Sequence, residues 1–382
     1  MRKGCKKVIA TILTAAMAMS VCSPAFASEI STNTFETTLQ PKERMLCEQV
    51  LEGMETKISQ ELKTEYQKDI LLLNSKGFEE KELIILDTDI RQVANLIQEL
   101  DMDSEEIKKL KNGFLTSRPT DPEVLIANSH SLDAADLGIV SYEFKQDGAR
   151  ASTGFIEKQI SLFTNPALNK FYQESGYVNL GNVHATSKVV NGETYYTRPY
   201  VMFGAHGSTG SIDAGLVWYQ EHNKWMLFMS GARSGWLLGK SYYNNGNSMT
   251  KAVGTANGTD AYLELKCSDG KAHIVWRSPE TWKIIDEQAA EMGDGFNTTS
   301  EIELVRENTL AQGVSGSYLK NVTWRTVYLY STSKTAKAEK GFFKSARNQF
   351  TTYSGNYLTK GTGQGSATNL NYYGETMSLS IP

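Results

Sequence analysis

The large aromatic residues of this chain are confined to one part of it. All six Trp residues and 17 of the 18 Tyr residues lie after residue 138. Such side chains bury wide areas and dominate a core, so stretches of such different makeup are not expected to share one. Charge divides at the same place. Residues 28–138 carry 23 acids and 12 bases, and residues 139–382 carry 20 acids and 23 bases. A −11 piece is therefore joined to a +3 piece. The length of 382 residues also exceeds the usual size of one compact domain. With 40% hydrophobic and 21% charged residues, neither a fully disordered nor a collagen-like chain fits. The formal net charge of −4 argues against a dedicated nucleic-acid binder, which needs a basic face.

The first 27 residues read as a secretory signal peptide. Arg2, Lys3, Lys6 and Lys7 precede an apolar run from Val8 to Val21, and Ala25-Phe26-Ala27 offers a small-x-small cleavage site. The run is shorter than the roughly 20 residues a spanning helix needs. Val21 directly before Cys22 makes a poor lipobox, so no lipid is expected. Cleavage after Ala27 leaves 355 residues with a net charge of −8. Cys5 and Cys22 depart with the leader. Cys47 and Cys267 remain, either paired in an oxidising compartment or as two separately buried thiols.

Residues 28–138 read as an acidic helical region. Pro41 suits a first helical position. Apolar residues recur at Cys47, Leu51, Met54, Ile58, Leu62, Tyr66, Ile70 and Leu73, in steps of three or four along one helical face. Gly77 is placed as the cap beyond that helix, with Phe78 packing back. A second helix fits Asp89–Leu100, and a third runs from about Ser104 to Gly113. Pro119 and Pro122 mark a linker. Asp101-Met-Asp103-Ser-Glu105 looks like the start of an EF-hand loop. The sixth position of that loop requires Gly, and this chain has Glu106 there, so these residues read as helix caps.

Residues 139–382 read as β. Asp147-Gly148, Asn191-Gly192 and Asp269-Gly270 sit between alternating runs and supply the positive φ angles of tight hairpins. A fourth hairpin fits Gln220–Lys224, between Ile212–Tyr219 and Trp225–Met229. Late strands fit Val322–Thr332 and Glu375–Ile381. One helical interruption, Pro279–Met292, is predicted from the spacing of Trp282, Ile285 and Ala289. The predicted fold class is segregated α+β: a small helical N-terminal region followed by a large all-β sandwich or jelly roll. The domains are then a signal peptide (1–27), the helical region (28–138) and an aromatic-rich β-sandwich (139–382).

No local signature of catalysis stands out. Ser208 in Gly204-Ala-His206-Gly-Ser208-Thr-Gly210 lacks the glycine two residues earlier that a nucleophile elbow needs, and it reads as a turn. The five histidines, at 130, 184, 206, 222 and 273, show no three- or four-residue spacing for metal. No cofactor is expected. A structural calcium on Asp213, Asp260 and Asp294 is the one metal option, and spacing does not support it. Glycoside hydrolysis needs two facing carboxylates. Glu193, Asp213, Glu221 and Glu264 fall on predicted strands, where alternation places them toward solvent. The segment 233–247 combines aromatic rings with hydrogen-bonding side chains suited to sugars: Arg233, Trp236, Tyr242, Tyr243, Asn244 and Asn245. The same segment also reads as a wide loop whose rings pack downward. Trp218 and Trp225 alternate with small or apolar residues and belong to the core.

The stretch Tyr200–Trp225, with Gly204, Gly207, Gly210, Asp213, Gly215, Trp218-Tyr219-Gln220 and Asn223-Lys224-Trp225, resembles the YrpD-type secreted proteins of Bacillus and relatives. Gly316–Thr323 is similar to their final β segment. The resemblance covers about residues 139–382 and implies a secreted β domain of Gram-positive type. It brings no catalytic residues, and it leaves out the helical region.

Three functions fit this pattern. The first is a secreted, non-catalytic protein whose sandwich binds a carbohydrate or cell-envelope polymer. The second is an extracellular polysaccharide-cleaving glycosidase or lyase. The third is a structural protein whose helical region docks a partner. No nucleic-acid partner and no membrane span are expected, and the sequence leaves oligomeric state open.

Overall fold

The computed structural model describes residues 35–128, 155–162, 170–190, 192–233, 260–337, 349–353, 362–371 and 374–382. The predicted hairpin at Asp147-Gly148 lies outside them. Among the described residues helices come first: residues 35–38, then α1 (Pro41–Gly53), α2 (Gln60–Ser75), α3 (Glu80–Leu86), α4 (Asp89–Glu99), α5 (Ser104–Thr116) and α6 (Pro122–Asn128). Strands follow to the end of the chain, so the segregated α+β class is borne out. By its internal packing the chain divides into two units, Met1–Ile90 and Arg91–Pro382.

The first unit is helical. Pro41 opens α1, as predicted. The single long apolar face breaks into two helices at Met54–Ser59, and Thr56 instead bonds the Asp87 carboxylate through its N–H (3.1 Å) and hydroxyl (2.6 Å). Six of the eight residues on that face, Cys47, Met54, Leu62, Tyr66, Ile70 and Leu73, are buried, and Leu51 and Ile58 are half-buried. Gly77 ends α2 with φ +88°. Its N–H bonds the Asn74 carbonyl at 3.0 Å, and Phe78 N–H bonds Leu73 at 3.1 Å. Left-handed backbone at this position satisfies two otherwise orphaned carbonyls.

The second unit begins within α4. Asp103 caps α5, accepting from the N–H groups of Glu105 and Glu106 at 2.9 Å, while Glu106 accepts from Asp103 N–H at 2.9 Å. The EF-hand look-alike is therefore a capping box. Pro122, read as linker, starts the short helix α6.

One sheet has six antiparallel strands in the order β15-β1-β12-β6-β7-β8. These are Gln349–Tyr353, Phe155–Leu162, Glu303–Ala311, Arg198–Gly207, Gly210–Tyr219 and Lys224–Arg233. The larger sheet runs β11-β10-β9-β2-β13-β17-β16. These are Ile284–Glu291, Lys271–Arg277, Asp260–Ser268, Phe171–Asn179, Tyr318–Ser331, Gly374–Ser380 and Gln364–Asn371. Strands β3 (Asn182–His184) and β14 (Thr335–Lys337) also pair with β13, and β4 (Ser187–Val190) pairs with β5 (Glu193–Tyr196).

Within the described residues the turn signals act as predicted. Ser268 pairs with Lys271 across Asp269 (φ +52°) and Gly270 (φ +75°), the geometry of a two-residue type I′ hairpin. Val190 pairs with Glu193, and Tyr219 pairs with Lys224. Ser208 sits in the turn between β6 and β7.

The two sheets share one core. Trp218 and Trp225, cross-strand partners in the six-stranded sheet, lie 5.6 Å apart between ring centres, and Phe203 of that sheet meets Trp324 of the larger one at 4.9 Å. All four rings are buried, and Trp276 joins the same cluster.

Pro279–Met292 is not a helix. Thr281 and Trp282 N–H groups both turn back to the Ser278 carbonyl, Trp282 takes φ +59°, and β11 then pairs with β10. The helical spacing of Trp282, Ile285 and Ala289 misled because Ile285 packs on the inter-sheet core while Ala289 pairs with His273 on the opposite face. Nor does Gly113 end a helix. It lies inside α5, where an added Cβ would come within 2.4 Å of the Thr281 carbonyl and 2.5 Å of Trp282 Cβ.

Inside the sandwich, Arg306 Nη2 bonds Glu375 Oε1 at 2.7 Å, and both side chains are buried. Glu174 lies near this pair. Burial raises its carboxyl well above the ordinary value, against the opposing pull of Arg306 and of the Val305 and Gly204 backbone. A carboxyl so raised favours the protonated form in the fold. Its contribution to stability is present below the unfolded pKa and is lost as pH climbs toward the folded one, at roughly 1.4 kcal/mol per pH unit in that window. Two outcomes follow. Glu174→Gln should be more stable than the parent at pH 7, with the difference closing toward pH 4 in urea titrations; a variant less stable at both pH values contradicts this. Gly113→Ala should lower stability by about 1–3 kcal/mol, although Ala is the better helix former by about 1 kcal/mol. A stabilised Ala variant would refute the close approach.

Candidate binding site

The six residues singled out for sugar binding lie almost wholly outside the described residues. Only the backbone of Arg233, ending β8 opposite Gly210, is described. Trp236, Tyr242, Tyr243, Asn244 and Asn245 are not among them.

What the described residues bring together lies on the larger sheet. Along β9, Ala261, Leu263, Leu265 and Cys267 face the inter-sheet core. The alternate residues, Tyr262 and Glu264, are buried as well. Glu264, expected in solvent, is instead covered, because this face packs against α5 and the turn after β10. Its partner is Arg277, whose Nε donates to Glu264 Oε1 at 2.6 Å. Arg277 Nη1 donates to the carbonyls of Ser117 at 2.9 Å and Trp282 at 3.2 Å, and its guanidinium lies 4.2 Å from the Phe114 ring centre.

Further polar contacts join helix to sheet. Tyr328 hydroxyl donates to Glu99 at 2.9 Å, and Lys271 pairs with Glu123 at 3.2 Å. Glu287 accepts from Thr120 N–H at 3.0 Å and lies 3.2 Å from His273 Nε2. Burial pushes the Glu287 carboxyl up, but His273 and Thr120 outweigh it and hold it below the usual range.

Beside Arg277 this arrangement leaves a cleft of ≈ 620 Å³. Its floor holds the nearly enclosed rings of Tyr177 and Trp282, with half-buried Leu100 and Met102 from the α4–α5 connection. The exposed rim carries Glu106, Lys109, Glu280, Thr281 and Arg325. Arg325 is opposite Tyr177 in the β13–β2 register, and its guanidinium lies 4.3 Å from that ring centre. The Tyr177 hydroxyl donates to Asp260 at 2.5 Å, and Asn179 Nδ2 donates to the same carboxylate at 2.6 Å. Burial, then donation to Asp260, raises the Tyr177 phenol above its ordinary value. The cleft thus offers an apolar floor ringed by charged groups, a form suited to a chain of polar units with C–H faces.

The other sequence candidates are dispersed. Glu221 sits in the β7–β8 turn, where Arg198 Nη1 bonds it at 2.7 Å. Glu221 and Glu264 are thus each held by an arginine and not by one another. The Glu193 side chain lies outside the described residues. Among the described residues, no three His, Cys, Asp or Glu side chains gather as a metal site, and Asp213, Asp260 and Asp294 lie on separate elements. Cys47 and Cys267 are free and buried. Burial pushes the Cys47 thiol up to about 11 and raises that of Cys267 further. Such thiols are poor nucleophiles at neutral pH. No described helix is long and apolar enough to cross a membrane.

The site residues run from Leu100 to Arg325 and form no local motif, which is why the sequence alone did not single them out. The sequence signals that come closest are the Pro279-Glu-Thr-Trp turn and an arginine alternating with apolar strand residues at 325.

No protein-family model matches the chain, and no curated protein matches it. Several solved structures show distant likeness, including these three. SCP-B, a member of the Eqolisin family of peptidases in complex with the tripeptide Ala-Ile-His, is 9% identical with a TM-score of 0.33. The match covers 59% of this chain and 98% of that one. The CBM2 module of the Lactobacillus casei BL23 phage J-1 evolved Dit is 8% identical over 44% of this chain and 65% of that one, with a TM-score of 0.26. The alginate lyase from Klebsiella pneumoniae is 8% identical over 55% and 58%, with a TM-score of 0.24.

The Arg277–Glu264 pair gives this site its sharpest test. Glu264→Ala removes the carboxylate that faces this buried guanidinium. Breaking one side of a buried pair costs about 3–5 kcal/mol. A urea-unfolding loss below about 1 kcal/mol would show that the pair does not hold the helices to the sheet.

Proposed function

We propose that this is a secreted, non-catalytic protein that binds a carbohydrate or cell-envelope polymer, and that the cleft beside Trp282 is where the polymer lies. The observation that carries the reading is the cleft itself: an apolar floor with exposed charged and hydroxyl-bearing side chains around it. Secretion is supported by the basic n-region, the apolar run Val8–Val21 and Ala25-Phe26-Ala27. The resemblance of Tyr200–Trp225 to YrpD-type secreted proteins agrees with it. The segment 233–247 serves this reading as a second contact region for a long chain.

Blocking the cleft tests the proposal. Thr281 is exposed on the rim, so Thr281→Trp should fold normally while filling the opening. In pull-downs on purified cell-wall polysaccharide, retention should fall roughly tenfold, about the contribution of one good contact. Val189→Trp, at a residue that is 65% exposed on β4, should leave retention unchanged. Equal retention of both variants counts against the cleft. Release of shortened chains by the parent protein would favour the polysaccharide-cleaving alternative.

A further inference from the structure

We infer that the polymer held by this cleft is acidic, carrying a carboxylate or phosphodiester group in its repeat, and that Arg325 and Lys109 receive that group. This rests on the reading of the cleft as a polymer site.

The cleft holds two acids and two bases. Glu106 is committed, since its carboxylate accepts from Asp103 N–H at 2.9 Å in the α5 capping box. Asp260, behind Tyr177, is committed to the Tyr177 hydroxyl and the Asn179 amide. Glu280, exposed at the turn after β10, is the remaining acid on the rim. The two bases differ. Among the described residues, neither Arg325 nor Lys109 has a carboxylate within 4.0 Å. Both are exposed and both line the cleft.

Arg325 is also preset. Its register partner Tyr177 lies beneath the guanidinium, with 4.3 Å to the ring centre. Tyr177 is in turn fixed by its bond to Asp260. A guanidinium resting on a ring presents a planar fork that matches carboxylate or phosphate oxygens. Lys109 adds a mobile point charge from α5 on the helical side. A neutral polymer would leave both cations unused.

The chain as a whole opposes such binding, since its net charge is −4. Non-specific attraction of an acidic polymer is therefore disfavoured, and retention reports the local site.

The test is native affinity electrophoresis of the full chain in gels containing polygalacturonate, a glycerol-phosphate polymer or neutral dextran, at about 0.15 M salt. At least one acidic polymer should retard the protein with a dissociation constant roughly tenfold below that of dextran. Arg325→Gln with Lys109→Gln should erase that preference. Glu280→Gln, which removes the opposing rim acid, should strengthen it. Whichever acidic arm responds identifies the group. Equal retardation by all three polymers overturns the acidic assignment and leaves the polymer reading standing; a preference that survives the double variant overturns the roles given to Arg325 and Lys109. No retardation by any of the three overturns both.

Discussion

Arg277 is the residue on which the site depends. It is fully buried on the face of the larger sheet that looks away from the sandwich core. An uncompensated guanidinium could not remain there. Its compensation comes from Glu264 on the neighbouring strand, from the Ser117 and Trp282 carbonyls, and from the Phe114 ring. One side chain thereby ties together β9, the end of α5 and the turn after β10. Gly113 then lets α5 approach that turn closely enough to leave no room for a Cβ. Trp282, whose carbonyl Arg277 holds, also lines the cleft, so that wall is tied to a structural ion pair.

The sandwich explains why the sheet can carry such a face. The indole and phenyl groups of Trp218, Trp225, Phe203 and Trp324 fill the space between the sheets. That core accounts for the inner-facing residues of β9 and β2. Their alternates remain for other work, and here they are aromatic and polar: Tyr177, Tyr262 and Glu264. Most meet helix groups or one another. Tyr262, for example, donates to Ser175 at 2.9 Å. Where the helices end, Tyr177 and Arg325 face the cleft.

Much of this was readable in the sequence where the determinant is local. Asp269-Gly270 and Gly77 declare their turns because few residues accept positive φ. Pro41 and Asp103 mark helix starts for equally local reasons. Reading failed where a second packing partner decided the outcome. Gly113 looks like a stop signal, yet its missing side chain serves a neighbour nearly 170 residues away in sequence. Glu264 looks solvent-facing because alternation assumes one wet face, and at Tyr262 and Glu264 both faces of this strand are covered. Trp282, Ile285 and Ala289 keep helical spacing across a turn and a strand. The cleft was invisible for the same reason: Met102, Tyr177, Trp282 and Arg325 meet only in three dimensions.

In the proposed reading, the ligand lies between the α4–α5 connection and the Trp282 turn. Backbone amide exchange of the full chain, measured with and without bound polygalacturonate or glycerol-phosphate polymer, tests it directly. Protection is expected at residues 100–109, at 279–283 and around 325, the segments that line the cleft. Protection confined to 233–247, with those three segments unchanged, would contradict the account and return the site to the loop that the sequence first suggested.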